Sequence, residues 1–173
     1  LLYFAIPERI QAYINWTFGS FSGVTWGQMP ILASMVGLGL LIALGLSKAL
    51  NALLLGEGYA RSLGLHVGFT RVAIIVATAL LAGSVTAFCG PIGFIGIAVP
   101  HLCRTLFNTS DHRILLPGTI LMGAIVALIA ALLAEVPGYS VILPLNAVTA
   151  MIGAPVVIVV LLSRRNLQQS FGD

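Results

Sequence analysis

The chain has 173 residues, of which 59% are hydrophobic and 8% charged, with a net charge of +3. Soluble domains carry about 25% charged residues, so a soluble globular domain is excluded. With a mean hydropathy of +1.08, the class is an all-α, polytopic transmembrane bundle. Asp, Glu, Lys and Arg are absent from Ile10–Ser47, Val72–Cys103, Ile114–Ala134 and Val136–Ser163. Each run is long enough for at least one crossing, which takes about 20 apolar residues.

The opening LLYFAIPER (Leu1–Arg9) has no basic segment ahead of its apolar residues. We expect it to be the tail of a helix that starts outside this sequence, and the chain to be the C-terminal half of a longer one. A first span is expected over Gln28–Ser47. Next comes a mixed polar and apolar stretch, Asn51–Thr70, broken by Gly56, Gly58 and Gly64. It predicts two short interfacial helices with a turn between them, which either cover the helix ends or present a surface to a cytoplasmic partner.

A second span is expected over Val72–Phe88. Gly90-Pro91 then breaks a run too long for one helix, and glycines recur at Gly90, Gly93 and Gly96. Proline suits a first helical turn, where its missing N–H costs nothing, so a third span is predicted over Pro91–Phe107. Cys89 and Cys103 are read as two buried thiols near opposite ends of one helix, about 21 Å apart along its axis. Asn108–Arg113 (NTSDHR) reads as a tight turn, with Ser110 or Asp111 capping a fourth span over Ile114–Ala134. A charge-free outer loop, Val136–Pro144, leads to a fifth span over Leu145–Leu162.

Seven of the eight basic residues then fall on one side of the membrane: Lys48, Arg61, Arg71, Arg104, Arg113, Arg164 and Arg165, with only Arg9 opposite. The excess of basic residues marks the cytoplasmic side and places the C-terminus there. The positive charge is a topology signal and does not point to nucleic acid. Catalytic and metal chemistry are poorly supplied. His101, near the inner end of the third span, reads as a hydrogen-bonded structural residue, and Asp111-His112 lacks a third ligand at useful spacing. GEGYARSLG (Gly56–Gly64) lacks the lysine and hydroxyl of a phosphate-binding loop and follows no strand. We therefore expect no enzyme, cofactor or metal site, and an energy source in another subunit.

Two stretches, GPIGFIGIAVPHLCR (Gly90–Arg104) and DHRILLPGTILMGA (Asp111–Ala124), closely resemble the permeases of ATP-binding-cassette importers for iron–siderophore complexes, haem and cobalamin, the FecCD-like family. WTFGSFSGVTW (Trp16–Trp26), LNALLLGEGYARSLGL (Leu50–Leu65) and LPLNAVTAMIGAPVVIVVLLSRR (Leu143–Arg165) match in the same order, covering nearly the whole chain. The resemblance implies a ten-helix subunit of which residues 1–173 form the C-terminal half. Two such subunits pair in the inner membrane, two cytoplasmic ATPases drive them, and a periplasmic or lipid-anchored binding protein delivers the cargo.

By the same resemblance, residues 51–69 form the coupling-helix loop. Glu57, Tyr59, Arg61, Leu63, Gly64 and Leu65 are the candidates for ATPase contact, and Glu57 and Arg61, at i and i+4, equally suit a local helix pair. Gly93, Gly96, Thr149, Gly153 and Ala154 are candidates for the translocation path. Small residues at such spacings also serve close helix packing in lipid. Two positions depart from the family pattern: Ala131 stands where an Asp is common and Glu135 where an Arg is common, which puts the outer-face pairing with a binding protein in doubt there.

The function expected is the permease of an importer for a bulky chelate, with an iron–siderophore the favoured cargo and haem or cobalamin the others. An ion-coupled secondary carrier is the alternative, and it would need an ionisable residue at mid-membrane. A membrane scaffold without transport activity is a third reading.

Overall fold

The computed structural model describes residues 7–135 and 143–169. Its elements in order are α1 (Pro7–Thr17), α2 (Met29–Gly45), α3 (Ser47–Leu54), α4 (Glu57–Ser62), α5 (Val67–Cys89), α6 (Ile95–Phe107), α7 (His112–Ala134) and α8 (Leu145–Gln169). The fold is all-α. Among the described residues, α5 and α7 are long and apolar enough to cross a membrane. The pair α2 and α3, bent by 49°, makes a third such element.

Two packing groups carry the architecture. In one, α2 lies along α5 so closely that a Cβ on Gly39 would stand 2.8 Å from Leu81 Cγ. In the other, α6, α7 and α8 pack on one another. The core lies here, in two small clusters. One is Ala130, Ala134, Leu145 and Val148, and the other is Val99, Cys103 and Leu115. Much of the other apolar surface faces outward, as with Phe69, Leu121 and Met151, which suits a chain solvated by lipid and by further helices.

Helices stand where the five spans are expected, with shifted ends, though among the described residues α6 and α8 are apolar over a shorter length than a crossing needs. The first corresponds to α2, the fourth to α7 and the fifth to α8, while α5 starts five residues earlier than its expected span. The helix α1 is an additional element that the hydropathy pattern does not separate, and Leu1–Ile6 lie outside the described residues. The third span needs correction. Gly90 does end α5, at φ 81°, but Pro91 does not open the next helix, and α6 starts at Ile95.

The reason is a tight turn. Ile95 N–H donates to Gly93 O at 2.7 Å across Phe94, whose φ of 63° and ψ of −42° are close to the rare, strained form of the γ-turn. The thirteen residues of α6 rise about 20 Å, short of a full crossing, and Gly90–Phe94 links them to α5 outside any helix. Cys89 and Cys103 are buried free thiols on two different helices, not on one.

Helix α7, the expected fourth span, is capped as expected. Asp111 is its N-cap, and its carboxylate accepts from the Arg113 N–H at 2.8 Å. The two short helices also stand where the glycines predicted a turn, at Leu55-Gly56, with Gly56 at φ 99°.

Candidate functional site

The basic residues of α3, α4 and the adjoining helix ends gather at one end of the bundle. There α3 packs on α7 and α4 on α5. The helix α4 is short because both its ends are closed by geometry. After Ser62 the chain turns through Leu63 and Gly64, with Gly64 N–H donating to Arg61 O at 2.9 Å and Leu65 N–H to Ala60 O at 3.0 Å. This paired pattern needs a left-handed residue after the cap, which Gly64 supplies at φ 82°.

The helix hangs from one buried residue, Ala60, at 0% exposure. Around it Tyr59 and Leu63 are exposed, joined by Leu54 and Leu55 from the end of α3. Glu57, Arg61 and Gly64 are exposed as well, and Leu65 is half-buried. The six expected contact residues therefore lie on one small protruding element. Glu57 pairs with Arg61 at 3.7 Å and also with Arg71 at the start of α5. The result is a raised patch of leucines and a tyrosine with two solvated ion pairs at its edge, which suits docking into a cleft of another protein.

The path candidates lie toward the other end and fall into two kinds. Gly153 is buried, and a Cβ on it would stand 2.5 Å from Phe94 Cβ. Thr149, 1% exposed, donates to Asn146 O at 3.2 Å. Ala154 is half-buried beside them. Gly96, by contrast, has nothing within 4 Å of a Cβ position, and Gly93 only Asn146 Oδ1 at 3.9 Å. Gly96 belongs to an open groove of 220 Å³ along α6, lined also by Ile97, Pro100, His101 and Arg104. The thin side of α6 thus faces open space and the small residues of α8 pack.

Two asparagines not singled out in the sequence organise these ends. Asn146, in the first turn of α8, donates through Nδ2 to Pro91 O at 2.6 Å and to Thr17 O at 3.3 Å. Its Oδ1 accepts from the Gly93 N–H at 3.0 Å, and its own N–H donates to Phe18 O at 3.2 Å. Ser20 N–H adds a bond to Cys89 O at 2.8 Å. Gly90 is held so tightly that a Cβ would lie 2.1 Å from Trp16 O. The only hint in the sequence is an amide inside an otherwise apolar run. At the opposite end Asn51 of α3 reaches Asp111 and His112. Glu135 and Ala131 line a shallow pocket with Gly19, Ser20 and Leu143.

The family model described as the FecCD transport family matches residues 1–163. The vitamin B12 import system permease protein BtuC of Citrobacter koseri is 42% identical over 164 residues, which are 95% of this chain and 49% of that protein. BtuC of Salmonella typhimurium is 41% identical over 161 residues, 93% of this chain and 49% of that one. A solved structure described as an inward-facing conformation of a metal-chelate type ABC transporter matches with a TM-score of 0.82 and 32% identity, over 91% of this chain and 52% of the other. The chain spans about half the length of the curated relatives it matches. On this agreement of sequence and fold, the chain belongs to the FecCD transport family, a family of membrane permeases.

Proposed function

We propose that the chain is the C-terminal part of an importer permease that moves a bulky metal chelate across the bacterial inner membrane, driven by ATP hydrolysis in a separate subunit. The observation that carries this reading is the protruding α3–α4 pair. It combines exposed Leu54, Leu55, Tyr59 and Leu63 with Lys48, Arg61 and Arg71 nearby, at the end that the basic residues mark as cytoplasmic. An ATPase cleft receives this element, and residues 51–69 act as the coupling loop, with Glu57, Tyr59, Arg61, Leu63, Gly64 and Leu65 in contact. A second permease subunit completes the pathway, a binding protein delivers the cargo outside, and the C-terminus lies in the cytoplasm.

The mechanism is alternating access, in which displacement of α3–α4 opens one side of the pathway as the other closes. The path runs past the open groove of α6, at Gly93 and Gly96, with Thr149, Gly153 and Ala154 supporting it from α8. The relatives named as vitamin B12 permeases support a corrinoid as the first cargo to test, ahead of an iron–siderophore complex or haem.

The test is uptake into liposomes holding the full-length permease with its ATPase and binding protein. Cyanocobalamin and a ferric siderophore are supplied side by side, with ATP or with a proton gradient. ATP-dependent uptake is expected, and Arg61→Glu combined with Gly64→Trp should abolish both ATPase retention and uptake. Uptake that follows the proton gradient without ATP would establish a secondary carrier instead.

A further inference from the structure

The two short helices are fastened to the bundle in different ways. Helix α4 is tied to α5 by the Glu57–Arg71 ion pair, whose side chains are 50% and 64% exposed. Exposed pairs between long, flexible side chains hold position weakly. Helix α3 is tied to α7 by a short amide in a part-buried setting. Asn51 Nδ2 donates to Asp111 Oδ1 at 2.5 Å. Its Oδ1 accepts from the His112 N–H at 2.8 Å and lies 2.8 Å from His112 Nδ1.

Neither partner is free to follow a moving α3 alone. The Asp111 carboxylate is fixed as the cap of α7 by the Arg113 N–H, and the His112 N–H is part of the backbone of that helix. A side chain with two rotatable bonds that is bonded at both ends of its amide fixes direction as well as distance. From the start of α7 the contact continues to α6. Phe107 lies against Gly118, where a Cβ would stand 2.6 Å from its Cε2, and Leu115 packs on Val99 and Cys103.

We propose that Asn51 is a positioning residue that makes α3 and the start of α7 one rigid joint. Displacement of the α3–α4 pair then reaches α7 and, through Phe107 and Leu115, the groove-bearing α6. Helix α4, seated on Ala60 and joined to α5 by the one solvated Glu57–Arg71 pair, has no comparable amide joint among the described residues. The inference rests on the reading that α3–α4 receives the ATPase, and it adds which of the two helices transmits.

An exchange of the pair tests it. In Asn51→Asp alone, two carboxylates face each other and the joint opens. In Asn51→Asp with Asp111→Asn, the amide now stands on α7, where it still caps the Arg113 N–H and donates back to α3, and the carboxylate still accepts from the His112 N–H. Spin labels at Lys48 on α3 and Leu106 on α6, with Cys89→Ala and Cys103→Ala, read the joint in the full-length permease in lipid nanodiscs. One narrow distance is expected for the parent, a broad distribution for Asn51→Ala and Asn51→Asp, and the narrow one again for the exchanged pair.

With the ATPase and binding protein added, cyanocobalamin taken up per ATP hydrolysed should fall about ten-fold in Asn51→Asp and recover in the exchanged pair. A narrow distance in Asn51→Ala, or no recovery on exchange, overturns the proposal. Because the distance is read without nucleotide or cargo, it decides the joint even if the ATPase does not bind or cyanocobalamin is not carried. Those failures count against the importer reading alone. If Asn51→Ala does not fold, the distance in the exchanged pair still decides the matter.

Discussion

An asparagine organises each end of this bundle, and the two ties differ in what they hold. The amide side chain and N–H of Asn146 bond to backbone atoms, those of Thr17, Phe18, Pro91 and Gly93. They draw α1, the α5–α6 connection and α8 into one knot whose hydrogen bonds, among the described residues, include no ionisable side chain. Asn51 bonds to a carboxylate and lies against a histidine, both titratable. A knot of amides and carbonyls is indifferent to pH and salt and fixes geometry. A joint that includes a charge answers to its surroundings. The contrast separates an end whose tie is fixed in geometry from an end whose tie can respond to its surroundings.

The largest effect expected from breaking this comparison is at Gly90. An alanine there must place its Cβ 2.1 Å from Trp16 O while holding φ near 81°. Backbone cannot move aside as a side-chain tip can. Gly90→Ala should cost about 3–5 kcal/mol, seen as a lower thermal unfolding midpoint of the full-length permease in detergent. A cost near zero would show that α1 does not press on the α5–α6 connection.

Asn146→Leu comes next. It keeps the volume but leaves the Gly93 N–H and the Pro91 carbonyl without protein partners. Those groups are partly open to water, so the expected loss is about 1–3 kcal/mol by the same measurement. Loss of the outer knot should leave the Lys48–Leu106 distance unchanged, and a change there would show that the two ends are not independent.

The smallest effect is an acid step. The Arg113 N–H, followed by the Asn51 amide, holds the Asp111 carboxyl below its usual range. A lowered carboxylate contributes stability that is complete above its ordinary value of about 3.9 and is lost as pH falls through the lower folded value. Unfolding midpoints should therefore drop more steeply below about pH 4 in the parent than in Asp111→Asn. Asn146→Leu should keep the parent's steepness. Equal steepness in parent and Asp111→Asn would remove the charge from the inner joint.

Much of the fold was legible because lipid imposes a coarse rule: a charge-free run long enough to cross becomes a helix. The glycines that bound α4 could be read for the same kind of reason, since Gly56 and Gly64 punctuate a chain with little else to stop it. Gly90 as the end of α5 was also visible. The restart at Ile95 was not, because the preference of proline for a first turn is local and the turn at Phe94 is set from outside. The Phe94 Cβ needs the space left by Gly153, some sixty residues away. The ties at Asn51 and Asn146 were hidden for the same reason. Their partners lie 60 and 55 residues distant, and a lone amide in sequence does not announce where it will point.

The prolines divide the molecule mechanically. Pro100, Pro117 and Pro155 stand inside α6, α7 and α8, and each removes the hydrogen bond to the carbonyl four residues back. Helix α5 has no such interruption over 23 residues, and Pro30 of α2 falls in the first turn, where it interrupts nothing. So α2 and α5 form a stiff strut, and the three helices beside it each carry a built-in flexure. Bending is cheapest in the group that bears both the open groove and the Asn51 joint, and the strut beside it gives that bending something fixed to work against.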